Sequence, residues 1–135
     1  MLTGKTNIVM GIVSLALFIL YGFVLIFLRD FTPGREHWIV DYAVGKHFET
    51  RLAHVHGNLF ALINIAVGLV LLRLPASRGA AWMSGLALLG LLMPSGILAK
   101  MLLGAPPILV MFWGISMVAA MTWAAADVWK TEIFQ

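Results

Sequence analysis

Four apolar runs of near-equal length divide the chain: Ile8 to Leu28, Leu52 to Leu72, Gly79 to Ala99 and Pro107 to Ala126. A helix rises about 1.5 Å per residue, so about 20 apolar residues cross the roughly 30 Å hydrocarbon core of a bilayer. The polar residues collect between the runs. This pattern predicts an all-α membrane protein, a four-transmembrane-helix bundle in which residues 1–135 form a single domain. The first run is too long for the apolar core of a signal peptide and lacks a small-residue cleavage site, so it is expected to stay in the membrane.

The connections refine this picture. Arg29 to Arg51 is the only long one, and its four basic residues are matched by Asp30, Glu36, Asp41 and Glu49. Pro33-Gly34 marks a turn, and Trp38 and Tyr42, four apart, predict a short interfacial helix between the first two spans that could roof a cavity. Arg73 to Gly79 is a tight link that makes the second and third spans antiparallel neighbours. Pro94 predicts a kink in the third span, and Pro107 suits the first turn of the fourth. The small residues Ser116, Ala120 and Ala124 repeat every fourth position, a stripe that seats another helix of the same chain or of a neighbour.

The second span breaks the apolar rule. It has no Asp, Glu, Lys or Arg from Leu52 to Leu72, yet holds His54, His56, Asn58 and Asn64. Polar groups in hydrocarbon are costly and are functional candidates by default, although each can also serve as a hydrogen-bonded packing group between helices. At about 100° per residue, His54, Gly57, Asn58, Ala61, Asn64, Ile65 and Gly68 share one small, polar face. His56, Phe60, Ile63, Val67 and Val70 lie roughly opposite, a bulky face suited to lipid or another subunit. Residues two apart stand about 200° apart on a helix, so His54 and His56 share a metal only where the helix is unwound. His54 is the inward ligand candidate.

Composition narrows the chemistry. The chain is 61% hydrophobic and 11% charged, with a mean hydropathy of +0.97, where soluble domains carry about a quarter charged residues. It has no cysteine, which excludes disulfides, iron–sulfur clusters, zinc–thiolate sites and thiolate-ligated haem. Four histidines and eight methionines remain as ligands. The net charge of +3 comes from basic residues scattered at helix ends as interfacial anchors, not a stripe for nucleic acid. No acidic residue lies within a span to couple ions, which disfavours a transporter. Basic residues are nearly balanced across the membrane, and cancellation within the first loop favours cytoplasmic termini.

A cytochrome with two histidine ligands needs a second histidine at matching depth, and the other three spans have none. If an iron porphyrin binds, His54 is the sole strong ligand, and the opposite position is open or weakly held by Met, water or a loop histidine. Such a site suits a small apolar substrate or gas ligand. Arg35, Arg51 and Lys100 are available for propionates, or act as headgroup anchors.

The segment Arg51-Leu-Ala-His54-Val-His56-Gly57-Asn58-Leu-Phe60-Ala61-Leu-Ile-Asn64-Ile-Ala-Val-Gly68 resembles the second helix of the styrene oxide isomerase family, small four-helix membrane proteins that bind haem b as oligomers. The likeness covers Arg51 to Leu71, together with overall length and span count. It implies that His54 is the axial ligand and that the iron acts as a Lewis acid on an epoxide oxygen, opening the ring to give an aldehyde. It also implies a homo-oligomer, a trimer if family-like, in a bacterial inner membrane. Where the family places an asparagine six residues after the ligand this chain has Phe60, with Asn58 and Asn64 on either side. The family's third-helix tyrosine has no counterpart, since the tyrosines are Tyr21 and Tyr42. The candidate set is therefore His54 as metal ligand, Gly57, Ala61, Arg51 and Lys100 around the cofactor, and Asn58 and Asn64 as catalytic groups. Two other readings stay open: a non-catalytic subunit of a larger redox or oxygenase complex, and a copper handler using His37, His47, His54, His56 and methionines.

Overall fold

The structure, a computed structural model, describes residues 3–130. Among the described residues there are six helices and no strand: α1 Gly4–Phe31, α2 Arg35–Val40, α3 Gly45–Leu71, α4 Arg78–Gly90, α5 Met93–Leu103 and α6 Pro107–Lys130. Helices α1, α3, α4 with α5, and α6 give four spans long and apolar enough to cross a membrane. The predicted four-helix membrane bundle is the observed one, and α2 is the short helix expected in the first connection.

Helix α3 starts at Gly45, seven residues before the apolar run, where a positive φ of 58° uses glycine's freedom to turn the chain. Glu49 and Arg51 are therefore already helical, and His54 and His56 sit on a fully wound helix on different sides.

α3 is the central helix because both of its long faces are covered. The small face packs on α1: Gly4 meets Gly68, and Gly11 meets Ala61 and Ile65, at distances that leave no room for a Cβ. Close backbone approach through small residues is how membrane helices gain contact when lipid removes the hydrophobic drive. The bulky face, expected against lipid or a neighbour, instead turns into the bundle. Val67 and Leu71 join Met83, Ala87, Met117, Ala120 and Ala124 in one buried cluster, with Phe60, Ile63 and Val70 packed against it. The lipid-facing positions of α3 are Val55, Leu59, Leu62 and Leu69. The Ser116, Ala120 and Ala124 stripe is buried within the chain, in the core shared with α4, and so seats no neighbour.

A polar clamp ties three spans together near the termini. Asn7 Nδ2 donates to Asn64 Oδ1 at 2.9 Å and to the Ser84 carbonyl at 3.2 Å. Ser84 Oγ donates to Asn7 Oδ1, and Asn64 Nδ2 donates to the Ala87 carbonyl at 2.8 Å. Asn7, Asn64 and Ser84 are fully buried. The Ala87 carbonyl is available because the last turn of α4 tightens: the Leu91 N–H bonds to Leu88, one residue short of the α-helical partner. That tightening precedes Pro94 in the first turn of α5, so Asn64 satisfies a carbonyl that the predicted kink leaves bare.

Candidate functional site

The site lies at the other end of the α1–α3 seam. Gly4, Gly11, Phe18 and Gly22 recur at spacings that keep one stripe of α1 against α3, and Gly22 is where His54 enters. A Cβ at Gly22 would stand 2.6 Å from His54 Cε1 and 3.1 Å from Nε2, a distance real side chains do not tolerate. The glycine lets the edge of the imidazole lie on the helix backbone.

His54 Nδ1 is 2.9 Å from the Phe18 carbonyl oxygen. A carbonyl only accepts, so Nδ1 carries the proton, and in the neutral ring Nε2 keeps its lone pair. Asn58, one turn further along α3, donates from Nδ2 to the His54 carbonyl at 3.1 Å, and the same nitrogen stands 3.3 Å from both ring nitrogens. Asn58 Oδ1 is buried with no hydrogen-bond partner among the described residues. The Tyr21 ring lies 6.3 Å from the imidazole, centroid to centroid.

Beside Gly22 and His54 opens a cavity of about 260 Å³. Leu25, Ile26 and Val55 give it apolar walls, Arg29 and Arg51 bring cations, and Trp38 and Tyr42 cover it. Its roof is thus α2 and the turn after it, held down from α3. Arg51 donates to the Tyr42 carbonyl at 2.8 Å while its guanidinium sits 3.2 Å over the Tyr42 ring, and His47 stacks on Trp38 at 3.9 Å. Arg29 pairs with Asp30 at 2.7 Å.

The predicted site residues separate into groups. His54 and Arg51 line the cavity, and Asn58 adjoins the imidazole. Gly57 is covered by the Phe18 ring and Ala61 is fully buried against α1, so both serve helix packing in this chain. Asn64 is ten residues from His54, about 15 Å along the helix at 1.5 Å per residue, and its polar atoms are all engaged in the clamp. Lys100 pairs with Glu49 at 2.6 Å, linking α5 to α3 outside the cavity. Arg35 borders a separate surface cleft with Asp30 and Glu36.

The other histidines do not join His54. His37 is exposed, His47 stacks on Trp38, and His56 returns Nδ1 to the Leu52 carbonyl at 2.9 Å with its ring against Phe60. Among the described residues no three His, Asp or Glu side chains converge on a point. A copper site built from the histidines therefore has no assembled ligand set here.

Sequence reasoning missed Gly22, the Phe18 carbonyl and Arg29. The first had a signal. Gly4, Gly11 and Gly22 are spaced by seven and eleven, which keeps them on one helical face, and that face meets the polar face of α3. A backbone carbonyl leaves no such mark. No family model, curated protein or solved structure matches this chain.

Proposed function

We propose that this is an integral membrane haem b protein in which His54, through Nε2, is the single strong protein ligand. Bound there with one coordination position free, haem iron would supply a site for a gas ligand or a Lewis acid that polarises the oxygen of a small apolar substrate, an epoxide in the family that Arg51 to Leu71 resembles.

One observation carries the reading: Nδ1–H is committed to the Phe18 carbonyl, which leaves Nε2 as the donor beside the cavity wall at Gly22. A ligating histidine commonly donates its other ring N–H to a carbonyl or carboxylate, which fixes tautomer and orientation and raises basicity. Asn58 packs on the ring and bonds to its backbone, so it acts as a positioning residue for the imidazole. Arg51 supplies positive charge at the cavity for acidic substituents, whereas Asp30 already offsets the charge of Arg29. Leu25, Ile26 and Val55 keep the wall apolar, and Trp38 and Tyr42 cover one side of it.

The donor set fits the group, and the space sets a condition. The cavity of about 260 Å³ falls below the roughly 300–1,000 Å³ of sites for drug-sized ligands, so a single chain walls only part of a macrocycle. The remainder needs a second wall, which accords with the homo-oligomer that the resemblance implies. The test is the absorption spectrum of protein purified after haem supplementation. A Soret band lost in His54→Ala and kept in Asn64→Leu supports the proposal, whereas folded protein that takes up no haem overturns it.

A further inference from the structure

A second depression runs along the outer face of α4, far from His54. It encloses about 470 Å³ and is lined by Arg78, Ala81, Trp82, Gly85, Leu86 and Leu89. Gly85 contributes no side chain between Trp82 and Leu89, which forms the trough, and Trp82 stands over it with 67% of its surface exposed. Arg78 closes one end. The other end stops just short of the α4–α5 break, at the last turn of α4.

We propose that this groove is a binding site for one phospholipid with an anionic headgroup, its phosphate on Arg78 and one acyl chain laid along Trp82, Gly85 and Leu89. Two observations select that occupant. The first is length: Arg78 to Leu89 spans eleven residues, about 16 Å at 1.5 Å per residue, close to half of the roughly 30 Å hydrocarbon core. The groove therefore serves one leaflet, with its cation at headgroup level and its apolar end near the midplane. The second is charge. The boundary that carries Arg78 also carries Lys5, Arg73 and Lys130, with Asp127 the only acid there among the described residues. At the opposite boundary, four acids offset the basic residues, with Arg29 and Lys100 in ion pairs. The excess of positive charge thus lies on the side where the groove opens, and a cation there attracts anionic lipid. Trp82 supplies the flat amphipathic surface that settles at the interface.

The test uses Trp82 as the reporter. The full chain is reconstituted in vesicles containing phospholipid with brominated acyl chains and either a phosphatidylglycerol or a phosphatidylcholine headgroup. Subtracting the Trp82→Phe signal isolates the quenching of Trp82. Quenching at a given mole fraction should favour phosphatidylglycerol, and Arg78→Gln should lower that preference by about five-fold, the effect of one surface cation. Gly85→Leu, which fills the trough, should weaken quenching by both lipids. An equal ratio in Arg78→Gln and the parent chain overturns the proposal. So does weak quenching by both lipids coupled with an oligomer that Gly85→Leu dissociates, which would assign the groove to a second copy of the chain.

Discussion

Replacing Asn64 with leucine separates a structural role from a chemical one. The side chains share heavy-atom count and branching, so the main perturbation is the loss of hydrogen bonds, to which the bulkier methyl groups add some overpacking at this fully buried position. Asn64 accepts from Asn7 of α1 and donates to the Ala87 carbonyl of α4, two links between helices. Interhelical hydrogen bonds in membranes contribute about 0.6 kcal/mol each on average and about 1.7 at most. The variant also strips the partner from the Ala87 carbonyl, a buried acceptor that the tightened end of α4 does not satisfy, and orphaned groups of this kind cost about 1–3 kcal/mol. The expected loss is therefore roughly 1–3 kcal/mol, with unfolding in mixed micelles titrated with SDS and followed by circular dichroism as the assay. The clamp also predicts coupling: Asn7→Leu with Asn64→Leu should cost less than the sum of the single changes, because the second removes a partner already unpaired. Asn64→Leu with unaltered stability, or strict additivity in the double variant, would refute this assignment. Normal stability with altered ligand binding would return Asn64 to the site.

Two further substitutions probe the seam and the boundary. Gly22→Ala ordinarily favours a helix by about 0.5–1 kcal/mol, but here the new Cβ would stand 2.6 Å from His54 Cε1. It should instead destabilise the protein by about 1–2 kcal/mol, since overpacking costs about 1–3 kcal/mol, and it should abolish uptake of haem; a more stable variant with normal uptake would contradict the packing described. Lys100→Met removes a partly exposed ion pair with Glu49, a kind worth about 0–1 kcal/mol, and should leave the haem spectrum unchanged; a shifted spectrum would place Lys100 in the site.

The span count was legible because it depends only on the length and polarity of each run, and bilayer thickness fixes the length. A short helix in the first connection was legible around Trp38, although it ends at Val40 and leaves Tyr42 in the turn beyond, and the α4–α5 break was legible from Pro94. Which face of α3 met which neighbour was not. Periodicity sorts residues into faces but does not rank them, and a helix covered on both sides presents no lipid face at Val67 or Phe60 to contrast with its small face. Asn64 and His54 share a helical face yet belong to different assemblies, because a face runs the length of the membrane while a cavity occupies a few turns. The destination of Asn64 depended on Asn7, Ser84 and Ala87, on two other spans. Lys100 was placed at the correct boundary, but pairing with Glu49 required knowing that α3 begins at Gly45 and brings Glu49 onto a helical turn facing α5.

The central claim concerns one atom, His54 Nε2, and optical absorption of the purified protein tests it most directly. Haem-supplemented protein should show a Soret band in both oxidation states, absent in His54→Ala and present in His56→Ala, with both variants unfolding as a single cooperative transition. A band that persists in His54→Ala, or a folded parent chain that stays colourless with haem in excess, would contradict it.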